Sequence, residues 1–246
     1  MSALEQSLPA PIPDPFHSDI MELRGAELAS IQYGHGMASD FHDFIRVSPN
    51  RALFGLLDAA GGLEQIRGIL SASQQTFRTA GAELFAQRDI NDTDAMMELC
   101  LQLNLAILKS AEGVRPCPAF AGCYDEALGV VSYFNAGYTP GLLRDHTGVS
   151  ELAATNLPLG LFSHITADAS MVALEPGAVL LLVSRGIVEG KSQAEEFGLQ
   201  RVKDVLQQSK TASAKELCVS VIDRVREFMR TPTLNAMTAL ALTRNP

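Results

Sequence analysis

The sequence predicts an α+β fold in which two antiparallel sheets pack together and helices cover their outer faces. Strand-like segments bounded by turn residues fall into two groups, and each group is followed by two segments in which apolar residues recur at helical spacing. No linker separates the two halves of the chain, and no internal repeat occurs. A parallel sheet built from βαβ units would alternate single strands with single helices, so two antiparallel sheets fit the pattern better.

The first half of the chain predicts three strands and two helices. The strands lie at residues 28–33, 41–47 and 51–58, and the turn residues between them favour an antiparallel meander. Apolar residues then recur at helical spacing in residues 63–77 and 91–107, so two amphipathic helices are predicted to follow.

The second half of the chain also begins with predicted strands that are followed by two predicted helices. Four short strands are predicted at residues 119–124, 129–134, 141–144 and 170–174. Residues 178–184 form a nearly unbroken apolar run, which predicts a strand that is covered on both faces at the centre of its sheet. Two further helices are predicted at residues 192–208 and 213–230, and a last strand at residues 236–243.

The chain is expected to divide into a short tail and one domain. Four prolines lie within residues 8–15, and because proline lacks a backbone donor, residues 1–22 are predicted to form a flexible, extended tail. Residues 23–246 are predicted to form a single domain, since a chain of this length buries a full hydrophobic core.

The charge balance excludes several classes of partner. The chain has 19 Lys and Arg against 28 Asp and Glu, a net charge of −9 with no basic patch, so no nucleic-acid partner is expected. It contains neither an apolar run of about 18 residues nor a basic-then-apolar N terminus. No membrane partner is therefore expected, and the predicted location is the cytoplasm.

The cysteines are predicted to be structural. Cys100, Cys117, Cys123 and Cys218 lie in apolar stretches and show no CxxC spacing. This pattern predicts reduced thiols in the core rather than zinc ligands or disulfides.

Three aspartates mark the ends of the predicted strands. Asp40 and Asp43 open one strand, and Asp58 ends the next. Carboxylates that converge at one end of a sheet suit a hard cation such as Mg²⁺ or Mn²⁺. Aspartates at strand ends are also common turn formers, and spacing alone does not decide between the two interpretations.

Several motifs resemble a known family. Residues 135–143 read NAGYTPGLL and residues 157–160 read LPLG, which match the signatures Asn-Ala-Gly-His-x-Pro-x-Leu-Leu and Leu-Pro-Leu-Gly of the sporulation stage II E (SpoIIE) branch of the metal-dependent PPM (type 2C) serine/threonine protein phosphatases. Further matches occur in the same order along the chain, at residues 38–44, 57–61, 174–177 and 195–198. The resemblance covers residues 26 to 244.

The resemblance implies a four-layer αββα sandwich of two antiparallel sheets flanked by helices. In that family two divalent metals activate a water that attacks a phosphoserine or phosphothreonine, by lowering the pKa of the water and clamping phosphate oxygens. The resemblance places the metal carboxylates at Asp58, as the bridging ligand, and at positions 185 and 235. It places Asp40 and Asp43 beside these ligands or at an outer metal.

Two of these positions depart from the family pattern. Position 185 is arginine and position 235 is asparagine where the family has aspartates. Together with Asp40 and Asp58 the four positions carry a formal charge of −1, whereas four carboxylates would carry −4. Because a guanidinium stays charged and offers a fork of donors to carboxylates, we expect Arg185 to pair with Asp58, and with Asp40, in place of the second metal. The alternative is that Arg185 is a solvated charge in a loop.

The histidines leave one further arrangement open. His35 and His42 lie near the predicted site, and together they could form a nonstandard metal pocket with Asp40 or Asp43, since imidazole suits zinc and similar ions.

Two functions follow from these observations. The first is a pseudophosphatase with a degenerate site around Asp58, Arg185 and Asn235, which binds no metal and acts in signalling through a protein partner. The resemblance suggests that this partner is either a phosphorylated antagonist protein of an anti-sigma-factor switch or another signalling domain. The second is an active phosphoserine/phosphothreonine phosphatase that uses a single, weakly bound Mn²⁺ or Mg²⁺ held by Asp40, Asp43 and Asp58.

Overall fold

The secondary-structure elements of the protein come from a computed structural model that describes residues 16–34, 40–61, 63–86, 89–111, 113–229 and 236–246. The strands in this part of the chain are, in order, β1 (Phe16–Leu23), β2 (Ala26–Tyr33), β3 (Asp40–Ser48), β4 (Arg51–Asp58), β5 (Ala119–Asp125), β6 (Val130–Ala136), β7 (Gly141–Asp145), β8 (Gly148–Leu152), β9 (Ser170–Ala173), β10 (Val179–Val183), β11 (Lys191–Ser192), β12 (Glu195–Glu196) and β13 (Met237–Arg244). The helices are α1 (Leu63–Phe85), α2 (Asp92–Ser110), α3 (Arg185–Val188), α4 (Gly198–Gln208) and α5 (Ala214–Met229). None of these helices is long and apolar enough to cross a membrane.

The strands form two large antiparallel sheets. The six-stranded sheet has the order β1-β2-β13-β10-β7-β8, and the five-stranded sheet has the order β3-β4-β5-β6-β9. The remaining pair, β11 and β12, forms a small hairpin. Every pairing between these strands is antiparallel, which confirms the predicted sheet type.

The hydrophobic core has three layers, as expected for an αββα sandwich. One apolar cluster, which includes Phe54 and Leu180, lies between the two sheets. A second cluster packs α1 and α2 on the five-stranded sheet, and a third packs α4 and α5 on the six-stranded sheet. The predicted central strand β10 is buried along its whole length, because it has sheet neighbours on both sides and apolar layers on both faces.

The cysteines lie in these layers as predicted. Cys100, Cys117, Cys123 and Cys218 are buried free thiols. Burial raises the pKa of Cys117 to about 11 and that of Cys100 to about 12, so both thiols stay protonated and unreactive at neutral pH.

The assignment of strands to sheets differs from the predicted meander. β2 belongs to the six-stranded sheet, whereas β3 and β4 form a hairpin in the five-stranded sheet. The predicted sheet is therefore wrong for the first strand of the meander. β2 pairs instead with β13, at the far end of the chain, and this long-range partner leaves no local signal.

Further assignments also differ from the prediction. β1 begins at Phe16 and pairs with β2, so residues 16–22 form a strand rather than part of a flexible tail. The helix predicted from residue 192 begins at Gly198, because the β11–β12 hairpin occupies the preceding residues. The short helix α3 was not predicted, since a single turn carries no periodic signal.

Gly160, in the Leu-Pro-Leu-Gly motif, yields a test of this packing. Its φ is +78°, and a Cβ there would lie 2.4 Å from the carbonyl oxygen of Arg115. We expect Gly160→Ala to lower the free energy of unfolding by about 3 kcal/mol, from left-handed strain and overpacking together. The matched control is Gly25→Ala, where φ is +69° but no atom lies within 4 Å, and a cost of about 1 kcal/mol is expected. Urea denaturation measures both, and equal costs would contradict the close approach at Gly160.

Candidate functional site

Asp58 is the last residue of β4, in the five-stranded sheet, and it lies at one edge of the sandwich. The β3–β4 register places it opposite Asp40, and its backbone N–H donates to the carbonyl of Pro118 at 2.9 Å. By strand alternation it shares a face with Leu56, which belongs to the layer between the sheets. Its side chain is 6% exposed, so the carboxylate is held in a largely dry position.

Arg185 enters the site from the other sheet. β10 ends at Val183, and Ser184 then ties the backbone to β13: its N–H donates to the carbonyl of Thr238 at 2.8 Å, and its Oγ accepts from the N–H of Thr238 at 2.9 Å. At Gly186 a Cβ would lie 2.1 Å from the carbonyl oxygen of Ala236, so this close approach requires glycine. These contacts fix the backbone on both sides of position 185.

Arg185 and Asp58 form an ion pair across the two sheets. Arg185 Nη2 lies 3.0 Å from Asp58 Oδ2, and Arg185 Nε lies 3.6 Å from Glu189 Oε1. The predicted pairing of Arg185 with Asp58 is thereby confirmed. Burial raises the pKa of Asp58 above its ordinary value of 3.8; the Arg185 guanidinium opposes this rise and the Glu189 carboxylate adds to it. The Arg185 guanidinium is therefore the counter-charge that opposes the effect of burial on this carboxylate.

Asp43 does not join Asp58. It lies three residues after Asp40 on β3, so strand alternation places it on the opposite face of the sheet, towards α1. There Arg78 donates to both of its carboxylate oxygens, with distances of 2.6 Å from Nε and 3.0 Å from Nη2. The expected convergence of the aspartates therefore fails for Asp43.

Three residues of the predicted site lie wholly or partly outside the described part of the chain. The Asp40 backbone pairs with Asp58, but its side chain is not described, and His35 and Asn235 lie outside the described residues. The pairing expected between Arg185 and Asp40 therefore stays a prediction.

His42 has a different neighbour from the ones predicted. Its Nε2 lies 3.9 Å from Asp19 Oδ2 of β1, and burial lowers the pKa of its ring despite that carboxylate. Among the side chains that the structure describes, no three His, Cys, Asp or Glu residues come together in a way that could hold a metal ion. The described residues therefore give no support to a nonstandard pocket around His42.

Two residues of the site were missed from the sequence. Glu189 lies four positions after Arg185, a spacing that brings side chains together on a helix, but α3 itself was not predicted. Arg78 lies on α1, one residue beyond the predicted end of the first helix at residue 77, and its pairing with Asp43 could be recognised only after the faces of β3 were assigned.

The architecture is that of the PP2C phosphatase domains. The phosphatase domain of SpoIIE from Bacillus subtilis superimposes with a TM-score of 0.74 at 15% identity, over 91% of this chain and 64% of that one. The RsbU and RsbW domains of a Mycobacterium tuberculosis protein give a TM-score of 0.73 at 18% identity, over 91% of this chain and 62% of that one. Identities this low show the fold alone.

The family follows from the sequence. The sequence model described as Stage II sporulation protein E (SpoIIE) matches residues 57–245, and the chain belongs to this family. Phosphoserine phosphatase RsbP of Bacillus subtilis is 26% identical over 66% of this chain and 40% of its own length. Protein IcfG of Synechocystis is 25% identical over 51% of this chain and 20% of its own length. The chain thus aligns with less than half of the length of either relative.

The ion pair predicts an asymmetric effect of mutation. Arg185→Ala leaves a buried carboxylate without its counter-charge, and we expect it to lower the free energy of unfolding by about 2 kcal/mol. Asp58→Asn removes the buried charge and leaves a half-exposed arginine, so a change of about 0.5 kcal/mol or less is expected. Arg224→Ala is the control, since Arg224 pairs with Glu227 at the surface. Urea denaturation that gives Asp58→Asn the larger cost would contradict this account.

The cost of Arg185→Ala should also depend on pH. Because the folded-state pKa of Asp58 is raised, the folded chain holds its proton more tightly than the unfolded chain, and protonation favours folding. Loss of Arg185 raises this pKa further. As the pH falls towards 3.8, the difference in the free energy of unfolding between the wild type and Arg185→Ala should therefore shrink. The same difference measured for Arg224→Ala serves as the reference. A difference that grows on acidification would contradict the assignment.

Proposed function

We propose that this chain is a pseudophosphatase domain of the SpoIIE family, which has a degenerate metal site and acts in signalling by binding a protein partner. The observation that carries the proposal is the ion pair between Arg185 and Asp58, with 3.0 Å between Nη2 and Oδ2. The family pattern places a bridging metal on that carboxylate, and here an intrachain cation contacts it instead.

The described donor set does not fit two divalent ions. A guanidinium has no lone pair to offer a metal, and its positive charge repels one. At position 185 the change from carboxylate to guanidinium therefore removes a ligand and adds a charge of the wrong sign. Two-metal hydrolysis needs several carboxylates in one place, and the described side chains around Asp58 do not supply them.

A second candidate is a phosphatase that uses one weakly bound Mn²⁺ or Mg²⁺. The name of the relative RsbP, a phosphoserine phosphatase, and a solved structure of RsbX in complex with magnesium favour this candidate. Against it, Asp58 pairs with Arg185, and Asp43 lies on the other face of the sheet with both oxygens bound by Arg78. One ion would have to displace an arginine, so the pseudophosphatase remains the better proposal.

The proposed partner is a cytoplasmic phosphorylated protein of the antagonist type found in anti-sigma-factor switches. The family membership supports this proposal, and the described strands form the two sheets of the family's sandwich.

An activity assay with a repaired site tests the proposal. We expect no Mn²⁺-dependent hydrolysis of p-nitrophenyl phosphate by the wild type. The variant with both Arg185→Asp and Asn235→Asp restores two carboxylates. Measured by calorimetry, it should bind Mn²⁺ at least about tenfold more tightly than the wild type does. Any activity that this variant gains should be lost when Asp58→Ala is added. Calorimetry provides a readout even if the repaired site orients water poorly. Mn²⁺-dependent turnover by the wild type that Asp58→Ala abolishes would contradict the proposal and favour the second candidate.

Partner binding has its own test. Affinity purification of the full chain from its native host, after cross-linking, should capture a phosphorylated protein. The purified partner should then bind the Asp58→Asn variant about as tightly as it binds the wild type, because the proposed binding involves no metal. A partner that binds only after Mn²⁺ is added, or that is dephosphorylated by the wild-type chain, would contradict the proposal.

A further inference from the structure

Three exposed apolar side chains lie at the end of the sandwich that holds the candidate site. Val114 is 68% exposed, Leu157 59% and Phe162 54%. Cys117 and Leu159 exchange two backbone hydrogen bonds, of 2.7 and 3.1 Å, so the two segments that carry these side chains run antiparallel to each other. Exposed apolar side chains that come together in this way mark an interaction surface on a folded domain.

The same segments adjoin the candidate site. The backbone N–H of Asp58 donates to the carbonyl of Pro118 at 2.9 Å, and Pro118 directly follows Cys117. Burial is the main cause that raises the pKa of the Cys117 thiol; the Asp58 carboxylate raises it further, and the Arg115 guanidinium lowers it. Both charges therefore lie close to this thiol.

Arg115 is an available cation in an acidic chain. Its side chain is partly exposed, and no carboxylate among the described residues forms an ion pair with it. Because the chain has a net charge of −9, a phosphorylated segment is repelled by the protein as a whole, and it needs a local cation to approach. A guanidinium offers phosphate oxygens a planar fork of donors. We call Val114, Arg115, Leu157 and Phe162 the rim cluster.

The backbone beneath the rim cluster is fixed by a buried side chain of α2. Asn104 donates through Nδ2 to the carbonyl of Phe162 at 3.0 Å, and its Oδ1 accepts from the N–H of Gly160 at 2.8 Å. Gly160 in turn approaches the carbonyl oxygen of Arg115 so closely that no Cβ fits between them. A surface held in this way loses little conformational entropy when it binds a partner.

Leu157 and Phe162 lie on the longest connection between neighbouring elements in the described part of the chain, residues 153–169 between β8 and β9. Loops of more than about 12 to 15 residues without a helix or strand are uncommon in compact domains and are usually functional. The turns at the opposite end of the sandwich are short, as at residues 24–25 and 146–147. The long loop and the exposed apolar side chains thus occur at the same end as Asp58.

We propose that the rim cluster is the docking surface for the phosphorylated segment of a protein partner. Arg115 contacts the phosphate, and the three apolar side chains contact apolar residues on either side of the phosphoserine or phosphothreonine. The charge selects the phosphorylated form of the segment, and the apolar contacts hold it beside Asp58 without a metal. This inference rests on the proposed function, in which the partner is phosphorylated.

Nuclear magnetic resonance titration of the full chain tests the location. The probe is a short peptide that carries one phosphoserine between leucine and phenylalanine residues, and the same peptide without phosphate is the reference. We expect a dissociation constant between the micromolar and millimolar ranges, with the largest amide shifts at residues 113–117 and 157–163. Shifts that cluster elsewhere, or no binding at millimolar peptide, overturn the proposal.

Two substitutions separate the contribution of the charge from that of the apolar surface. Arg115→Ala should weaken binding of the phosphopeptide at least about fivefold and leave binding of the unphosphorylated peptide unchanged, whereas Arg115→Lys should retain part of the preference. Phe162→Ala should weaken binding of both peptides by a similar factor. An unchanged preference for the phosphopeptide in Arg115→Ala overturns the assignment of the phosphate contact.

The matched controls lie at the opposite end of the sandwich. Arg24 is an exposed arginine in the turn between β1 and β2, and Leu128 is 69% exposed in the turn between β5 and β6. Neither Arg24→Ala nor Leu128→Ala should change the affinity for either peptide. A loss of affinity in these controls equal to that in the rim variants overturns the proposal.

Phosphate release distinguishes failure of this inference from failure of the proposed function. If the wild type hydrolyses the phosphopeptide in the presence of Mn²⁺ while the shifts fall at the rim cluster, the pseudophosphatase proposal fails and the docking surface stands. If no phosphate is released and the shifts do not fall there, the docking surface alone is overturned.

Discussion

The apolar layer between the two sheets is the interaction on which the site depends. Phe54, Phe120, Leu180 and Leu240 are fully buried there, and the Phe120 and Tyr133 rings stack with their centroids 5.4 Å apart. Asp58 ends a strand of one sheet, and Arg185 follows a strand of the other. Their separation is therefore set by how the sheets pack, because neither residue is close to the other in sequence.

Arg185 changes the charge of the site where the ends of the two sheets come together. The packing still brings a buried carboxylate to the edge of the sandwich, where burial raises its pKa and makes its charge costly. A metal ion is one way to neutralise that cost, and the guanidinium is another that needs no ligand from solution. With the guanidinium in place, the buried carboxylate has a counter-charge from its own chain, and under the proposed function a divalent cation at this site would be repelled by it.

The sequence predicts local features well and long-range ones poorly. The Ser48-Pro49-Asn50 turn predicts the β3–β4 hairpin, the apolar run predicts β10, and the charge at position 185 predicts the pairing with Asp58. The sheet that β2 joins depends on its pairing with β13, about 200 residues away, which leaves no trace in local patterning. The convergence predicted for Asp43 fails for a local reason, since its position three residues after Asp40 turns it to the other face of the strand.

A crystal structure determined in the presence of Mn²⁺ tests the central claim most directly. The account predicts that Arg185 keeps its contact with Asp58 and that no pair of cations is bound between them. Two ordered cations bridged by the Asp58 carboxylate, with the Arg185 side chain displaced into solvent, would contradict it.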